Sequence, residues 1–306
     1  EADFVVVGGG NGGLSAGASA AEEGLKVVVC EISSFIGGGS AYSGGSLHAW
    51  GCDTWEEYQK HTEGLHDPVL TKTFIETFRN VYIPWLQKNN FPITRHASGG
   101  KGPSEDWHLG SDEQGYLKHK AYFDAIAAFI ESNGGLIMTQ TRVLRLVVDE
   151  DGLVAGVMAV EKGKDPIFIK GEKGVVLATG GFQSNKGLMA KFMGPNGDTV
   201  RNMGTPYNTG SGMLMAQGVG AMTQGSFSTF SGIYCGVTQT PSVEDNPAEY
   251  EQARSGDPVT LPGISNGRPS VPQWMSYLFP EETYGIFVNL EGKRFVDESC
   301  PIDAKY

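Results

Sequence analysis

Residues 4–13 read FVVVGGGNGG, a short β-branched run that ends in G-x-G-x-x-G (Gly8, Gly10, Gly13) and passes directly into the small-residue stretch LSAGASAAEE. Leu25–Cys30 follows as a second apolar run and is closed by Glu31, eighteen residues beyond Gly13. Near-continuous apolar strands joined by a helix of Ala and Gly imply a parallel pair with a tightly packed crossover. In that setting the first glycine permits the tight turn, the second lets backbone approach a pyrophosphate, and the third lets helix pack on strand. The helix N-terminus adds amide donors and a partial positive charge. Glu31 is placed to accept from ribose hydroxyls, and its charge disfavours a 2′-phosphate, so the reading is FAD or NAD and not NADP. Gly8, Gly10, Asn11, Gly12, Gly13, Glu31 and Ile32 are the candidate contacts.

Further along, VLTKTFIETFRNVYIPWLQKN places Leu70, Phe74, Phe78 and Tyr82 at helical spacing, with Pro84 breaking or kinking the pattern. Tyr122–Asn133 reads as another helix, closed by Gly134 and Gly135. A strand cluster follows, with turns at Asp149–Gly152 and Lys162–Asp165. Residues 226–280 are rich in Ser, Thr, Pro and Gly without periodicity and read as loop-rich, and Tyr284–Asn289 reads as a strand. The division expected is a dinucleotide-binding domain over 1–227 and a second domain over 228–306.

The net charge of −12 argues against unaided binding to nucleic acid or an acidic membrane, and no run approaches the roughly 18 apolar residues of a spanning helix. Cytoplasmic residence is the expectation, with a removed leader left open because the chain begins Glu1-Ala2-Asp3. The four cysteines, Cys30, Cys52, Cys235 and Cys300, show no CxxC or zinc-type spacing. Disulfides and metal ligation are not expected, and Cys30, inside VVVC, reads as a buried structural thiol.

The second glycine turn, ISSFIGGGSAYSGGSLHAWG, carries a resemblance. With Glu31 before it, it resembles the FAD-binding superfamily of fumarate reductase and succinate dehydrogenase flavoproteins, 3-ketosteroid Δ1-dehydrogenases and tricarballylate dehydrogenases. The shared pattern G-G-x-[S/T]-x-x-S-G-G is matched by Gly37, Gly38, Ser40, Ser43, Gly44 and Gly45. In that family the turn runs beside the diphosphate, ribityl chain and isoalloxazine, which implies FAD. Thr141-Arg142-Val143 resembles the strand whose backbone meets the adenine, VVLATGGF (Val175–Phe182) the second dinucleotide signature, and GTPYNTGSG (Gly204–Gly212) the segment that relatives write as TGDG. The resemblance implies an α/β fold: a Rossmann-like, glutathione-reductase-like FAD domain with an inserted α+β cap. It adds Gly38, Gly39, Ser40, Ser43, Gly44, Gly45, Val143, Ala178, Thr179, Gly180, Thr209 and Gly210 to the cofactor-binding candidates. For the serines and Thr209, ordinary turn stabilisation is the competing reading.

The departures are informative. Gly38 stands where succinate dehydrogenase-like members attach flavin to a histidine, so non-covalent FAD is expected. MTQGSFSTFSGIYCG, after Gly220-Ala221, lacks the substrate histidine of fumarate reductases, and Leu278 and Glu281 fall where their proton-carrying glutamate and arginine would be. Fumarate or succinate is therefore not the expected substrate. By comparison with the family the cap is cut short and the return segment is missing. It belongs to a second polypeptide or a cleaved product, lies beyond the given sequence, or the chain is a degenerate relative.

The implied activity is an FAD-dependent dehydrogenase or reductase acting on a carbonyl-activated CH–CH or C=C bond of a small organic substrate, with its electron partner unspecified. The alternatives are an oxidase, hydroxylase or isomerase on the same scaffold, and an inactive flavin-binding module. A proton must be moved opposite the hydride, and Tyr207 and Tyr234 are the candidates; packed aromatics are the competing reading. Lys118, His119 and Lys120 read as a solvated basic cluster before a helix. PQWMSYLFP (Pro272–Pro280) reads equally as cavity lining or cap core, and Arg294 and Asp297 as a structural ion pair.

Overall fold

The computed structural model describes residues 1–43, 45–47, 54–61, 67–96, 106–110, 116–200, 202, 204–224, 227–228, 264–265, 268–269 and 291–293. Strand β1 (Ala2–Val7), helix α1 (Asn11–Glu22) and strand β2 (Val27–Cys30) form the expected βαβ unit, with Phe4 paired to Val27 and Val7 to Cys30 in parallel register. After β2 come β3 (Ser46–Leu47), α2 (Trp55–His61), α3 (Pro68–Thr77), α4 (Ile83–Lys88), β4 (Ile93–His96) and β5 (Asp106–Leu109). Then α5 (Tyr116–Ser132) leads into β6 (Leu136–Met138), β7 (Thr141–Val148), β8 (Val154–Glu161) and β9 (Ile167–Leu177). Helices α6 (Lys186–Met193) and α7 (Ser211–Gly218) follow.

The main sheet runs β6-β2-β1-β9-β8-β7. Its first four strands are parallel, and β9, β8 and β7 form an antiparallel meander. Strand β9 belongs to both halves. Its first part pairs with β8 and its last part with β1, and the register shifts where Gly171 and Gly174 meet Ala2 and Phe4. Such a bulge bends one strand from one sheet direction to the other.

Alternation along the strands sorts side chains into two cores. Val6, Val27 and Val29 face α1 and α5, where Leu14, Ala18, Tyr122, Phe123, Ile126 and Ile130 are buried. Val5, Val7, Val28 and Cys30 face the meander, against Leu146, Val157, Ala159 and Ile169. Each fully buried large side chain contributes about 1.5–3 kcal/mol. The buried face of α1 is small, with Gly13, Gly17, Ala18 and Ala21, which is what lets the crossover lie close to the strands.

Two expectations change. Pro84 neither ends nor breaks its helix: a π-turn over Phe78–Tyr82 connects α3 to α4, with the Ile83 N–H donating to the Phe78 carbonyl. The wider turn accommodates a residue that has no N–H and whose ring would collide with the carbonyl four residues back. Leu70 and Phe74, on the expected stripe, are exposed, while Thr71 and Ile75 are buried. The basic cluster is not all solvated either. His119 lies inside α5 and is buried, with its ring against Gly45. Most of 228–306, including Tyr284–Asn289, Pro272–Pro280, Arg294 and Asp297, lies outside the described residues. No helix among the described residues is long and apolar enough to cross a membrane.

Candidate functional site

At the carboxyl ends of β1 and β2 the chain leaves a cavity of about 460 Å³. The turn after β1 forms its floor. Gly8 has φ +107°, and a Cβ there would collide with the Ala178 carbonyl, so the turn and the end of β9 are in backbone contact. At Gly13 a Cβ would collide with the Gly8 carbonyl, which makes the third glycine a packing residue and leaves it outside the cavity lining.

Helix α1 starts at Gly10 without a side-chain cap and without an acidic residue in its first turn. A Cβ at Gly12 would meet nothing within 4 Å. The Asn11 N–H donates to Ser40 Oγ at 3.4 Å, and the result is an open cradle at the helix N-terminus, which fits an anionic diphosphate.

Glu31 is 4% exposed and lines the cavity. Its Oε2 accepts the Gly9 N–H at 2.6 Å and its Oε1 accepts the Ser33 N–H at 2.7 Å. The expected ribose acid is therefore also a clamp between the first glycine turn and the end of β2. Cys30, beside it, is a free buried thiol whose pKa is pushed up to about 12 by burial and by the Glu31 charge.

The second glycine turn lies directly on the first. The Gly37 N–H donates to the Gly9 carbonyl at 2.7 Å, and Gly10 and Gly37 form a parallel bridge. A short 3-10 turn over Gly38–Tyr42 follows, and Gly38, Gly39 and Ser40 line the cavity. On the far wall are Ala178, Thr179 and Gly180 after β9, and Thr205, Tyr207 and Asn208 before α7. The segment before α7 is stiffened from behind, where Asn202 Nδ2 donates to Ser184 Oγ at 2.6 Å and to the Thr205 carbonyl at 2.9 Å.

Of the residues selected from sequence, Gly8, Gly10, Asn11, Gly12, Glu31, Ile32, Gly38, Gly39, Ser40, Val143, Ala178, Thr179, Gly180 and Tyr207 meet in this cavity. Ser43, Gly45, Thr209 and Gly210 do not line it. Ser43 Oγ donates to the Ser40 carbonyl and accepts the Gly45 N–H, so it stabilises its own turn. Gly45 packs on His119, Gly210 precedes the first turn of α7, and the Thr209 carbonyl accepts from Asn185 Nδ2. Gly44 and Tyr234 fall outside the described residues. Sequence reasoning does not select Val7, Cys30, Thr141, Arg142, Thr205, Asn208, Ser211 or Met215, all of which line the cavity. Arg142 and Asn208 sit inside the TRV and GTPYNTGSG motifs, which is the signal that points to them.

Comparison with known proteins bears on what fills such a cavity. The family described as FAD binding domain matches residues 3–303. Vinyl phenol reductase of Lactiplantibacillus plantarum is 22% identical over 99% of this chain and 58% of its own length. Fumarate reductase (cytochrome) of Shewanella frigidimarina is 25% identical over 97% of this chain and 48% of its own. Among solved structures, 3-ketosteroid-delta4-(5alpha)-dehydrogenase of Rhodococcus jostii superposes with a TM-score of 0.60 at 25% identity, covering 72% of this chain and 54% of that one. The chain spans about half the length of the curated relatives it matches.

Proposed function

The chain belongs to the FAD binding domain family, and from that premise we propose that it works as an FAD-dependent oxidoreductase on a C=C or CH–CH bond activated by a neighbouring electron-withdrawing group. One observation carries the reading. Five stretches far apart in sequence, 7–12, 30–40, 141–143, 178–180 and 205–215, supply the wall of one continuous cleft. A nucleotide diphosphate would be held at Gly10, Asn11 and Gly12, its ribose at Glu31 and its adenine beside Arg142 and Val143. The remaining part of FAD would lie along Gly38, Gly39, Ser40, Ala178, Thr179 and Gly180.

When bound, FAD supplies a centre that takes or gives a hydride. The chain's own residues exclude water, orient the ligand and move the accompanying proton. Tyr207 is on the wall and is the proton-carrying candidate inside the described residues. Attachment is non-covalent. The support is Gly38 itself, which has no side chain to carry a covalent bond and whose φ of +47° disfavours one.

The substrate is a small conjugated molecule other than a simple dicarboxylate. Residues 222–236 contain no histidine, and this carries the reading, since the relatives include both the fumarate reductase and proteins named for other substrates, the vinyl phenol reductase and the ketosteroid dehydrogenase.

The test begins with the purified full chain. A flavin absorption band and release of all FAD into the supernatant on acid precipitation are expected; colour retained in the pellet contradicts non-covalent binding. The reduced holoprotein is then mixed anaerobically with a panel of enones, cinnamates and vinyl phenols, at least one of which reoxidises it faster than the alkene-free control. Inertness to the whole panel, together with oxygen-driven reoxidation yielding stoichiometric peroxide, would replace this reading with the oxidase alternative.

A further inference from the structure

Behind the first turn of α1 lies a cluster of hydroxyl and amide groups that none of the motifs predicts. Tyr122, on α5, is fully buried, and its hydroxyl donates to Asn11 Oδ1 at 2.9 Å. Tyr82, the last residue of the π-turn, brings its hydroxyl within 3.1 Å of the Tyr122 hydroxyl, 3.1 Å of Ser15 Oγ and 3.1 Å of Asn11 Nδ2. A π-turn advances the side chains that follow it relative to a regular helix, and such turns recur at functional sites. Here it sits directly before Ile83-Pro84 and ends on Tyr82, whose hydroxyl reaches the first turn of α1.

The proton inventory fixes the orientation of Asn11. Burial drives the Tyr122 pKa far above the ordinary phenol value, with Tyr82 adding to the shift, so Tyr122 keeps its proton. The shortest contact of its hydroxyl is to Asn11 Oδ1 at 2.9 Å, and the Tyr82 hydroxyl also reaches Oδ1 at 3.3 Å, an arrangement that makes Nδ2 the donor end. One Nδ2 proton is directed to the Tyr82 hydroxyl. The second has no acceptor among the described residues, and Asn11 lines the cavity at the first turn of α1, beside the Gly12 cradle. The helix that follows the π-turn pins the other end of α1: Trp85 Nε1 and Lys88 Nζ donate to Glu22 at 2.6 and 2.8 Å.

We propose that Tyr82 and Tyr122 are positioning residues that lock the Asn11 amide with its N–H end toward the ligand diphosphate, adding a side-chain donor to the backbone cradle. The inference rests on the FAD reading above and deepens it. Without the tyrosine hydroxyls the amide loses its reason to hold that orientation, and the diphosphate loses one charge-assisted bond. One such bond corresponds to about a tenfold change in affinity.

The experiment measures binding of FAD, ADP and adenosine to the full apo-chain by calorimetry, for wild type, Tyr82→Phe, Tyr122→Phe and Asn11→Asp, with thermal unfolding of each apoprotein alongside. The expected result is about a tenfold loss for FAD and ADP in both phenylalanine variants, with adenosine affinity within about twofold of wild type. Asn11→Asp is expected to lose more for ADP than either, because a carboxylate then faces the phosphates. Should Tyr122→Phe fail to fold, the half-buried Tyr82→Phe decides between the outcomes. Phenylalanine variants that bind ADP as wild type does, or that lose ADP and adenosine equally, overturn the proposal, the second outcome reducing the cluster to packing. A wild-type chain that binds neither FAD nor ADP overturns the FAD reading and this inference with it, whereas unchanged variants in a binding wild type overturn only the inference.

Discussion

Glu31→Gln separates the clamp that the structure gives this carboxylate from the ribose contact proposed for it. In the wild type both oxygens are engaged, Oε2 by the Gly9 N–H at 2.6 Å and Oε1 by the Ser33 N–H at 2.7 Å, with the side chain 4% exposed. Glutamine keeps one carbonyl oxygen and presents an NH2 where the other accepted. One charge-assisted bond is lost and a buried N–H is left facing a donor, at a cost of about 1.5–3 kcal/mol; the surviving bond weakens by about 1 kcal/mol as its acceptor becomes neutral. The total is about 3 kcal/mol, roughly a hundredfold in the unfolding equilibrium. For a chain of 306 residues that lowers the Tm by about 4–6 °C. The measurement is thermal unfolding of the apoprotein followed by circular dichroism, where no ribose is present to contribute. An apoprotein Tm within about 2 °C of wild type, combined with weakened FAD binding, would refute the clamp and leave Glu31 as a ligand contact alone.

Gly45 and Gly134 share a φ of +85°, but a Cβ at Gly45 would collide with the His119 imidazole whereas one at Gly134 meets nothing within 4 Å. Gly134→Ala should therefore cost only the left-handed strain of about 1–2 kcal/mol, and Gly45→Ala about a further 1–3 kcal/mol from overpacking, read as urea midpoints; equal costs would mean that His119 does not pack there. Cys30, raised from 9.0 to about 12, stays protonated in the folded chain while the unfolded chain ionises first. Its contribution is present below about pH 9 and is lost as pH rises toward 12, so wild type should lose stability faster than Cys30→Ala between about pH 8.5 and 10.5, and the Cys30 peptide of the native apoprotein should stay unalkylated at about pH 8. Parallel pH profiles, or rapid native alkylation, would show the thiol to be accessible.

How much of this is legible in the sequence depends on the range of the interaction that fixes each part. The βαβ unit, the β7–β9 meander and α5 announce themselves because alternation, helical spacing and turn residues are local signals. Strands β3, β4 and β5 have two to four residues each, and β3 finds its partner far along the chain, with Ser46 opposite His108, so no periodicity marks them. His119 reads as solvated between two lysines, but it is buried, with Gly45 of a distant segment against its ring. The cavity shows the same division. Gly8–Gly12 and Glu31 follow from spacing, and Thr205 and Asn208 lie within one motif, while Met215 reaches the wall because α7 packs beside β7, which no single window contains. Tyr82 reads as one more aromatic in a stripe, and its contact with Asn11 depends on a π-turn at which only the position of Pro84 hints.

Why two glycine turns lie so close together has an answer in one residue that neither motif specifies. Gly9 occupies a variable position of G-x-G-x-x-G, yet both of its backbone polar groups carry the site: its N–H goes to Glu31 and its carbonyl receives the Gly37 N–H. Glu31, the first glycine turn and the second are thus tied to a single residue. The contacts around it leave little freedom. A Cβ at Gly9 would stand 3.0–3.2 Å from the Glu31 side chain, and one at Gly38 would stand 3.1 Å from the Gly10 Cα. Side chains at these positions would press one turn against the other, and of the two only Gly38 belongs to a motif. The two turns therefore form one rigid surface, and a side chain added at either contact displaces both the end that holds a diphosphate and the end that extends beyond it.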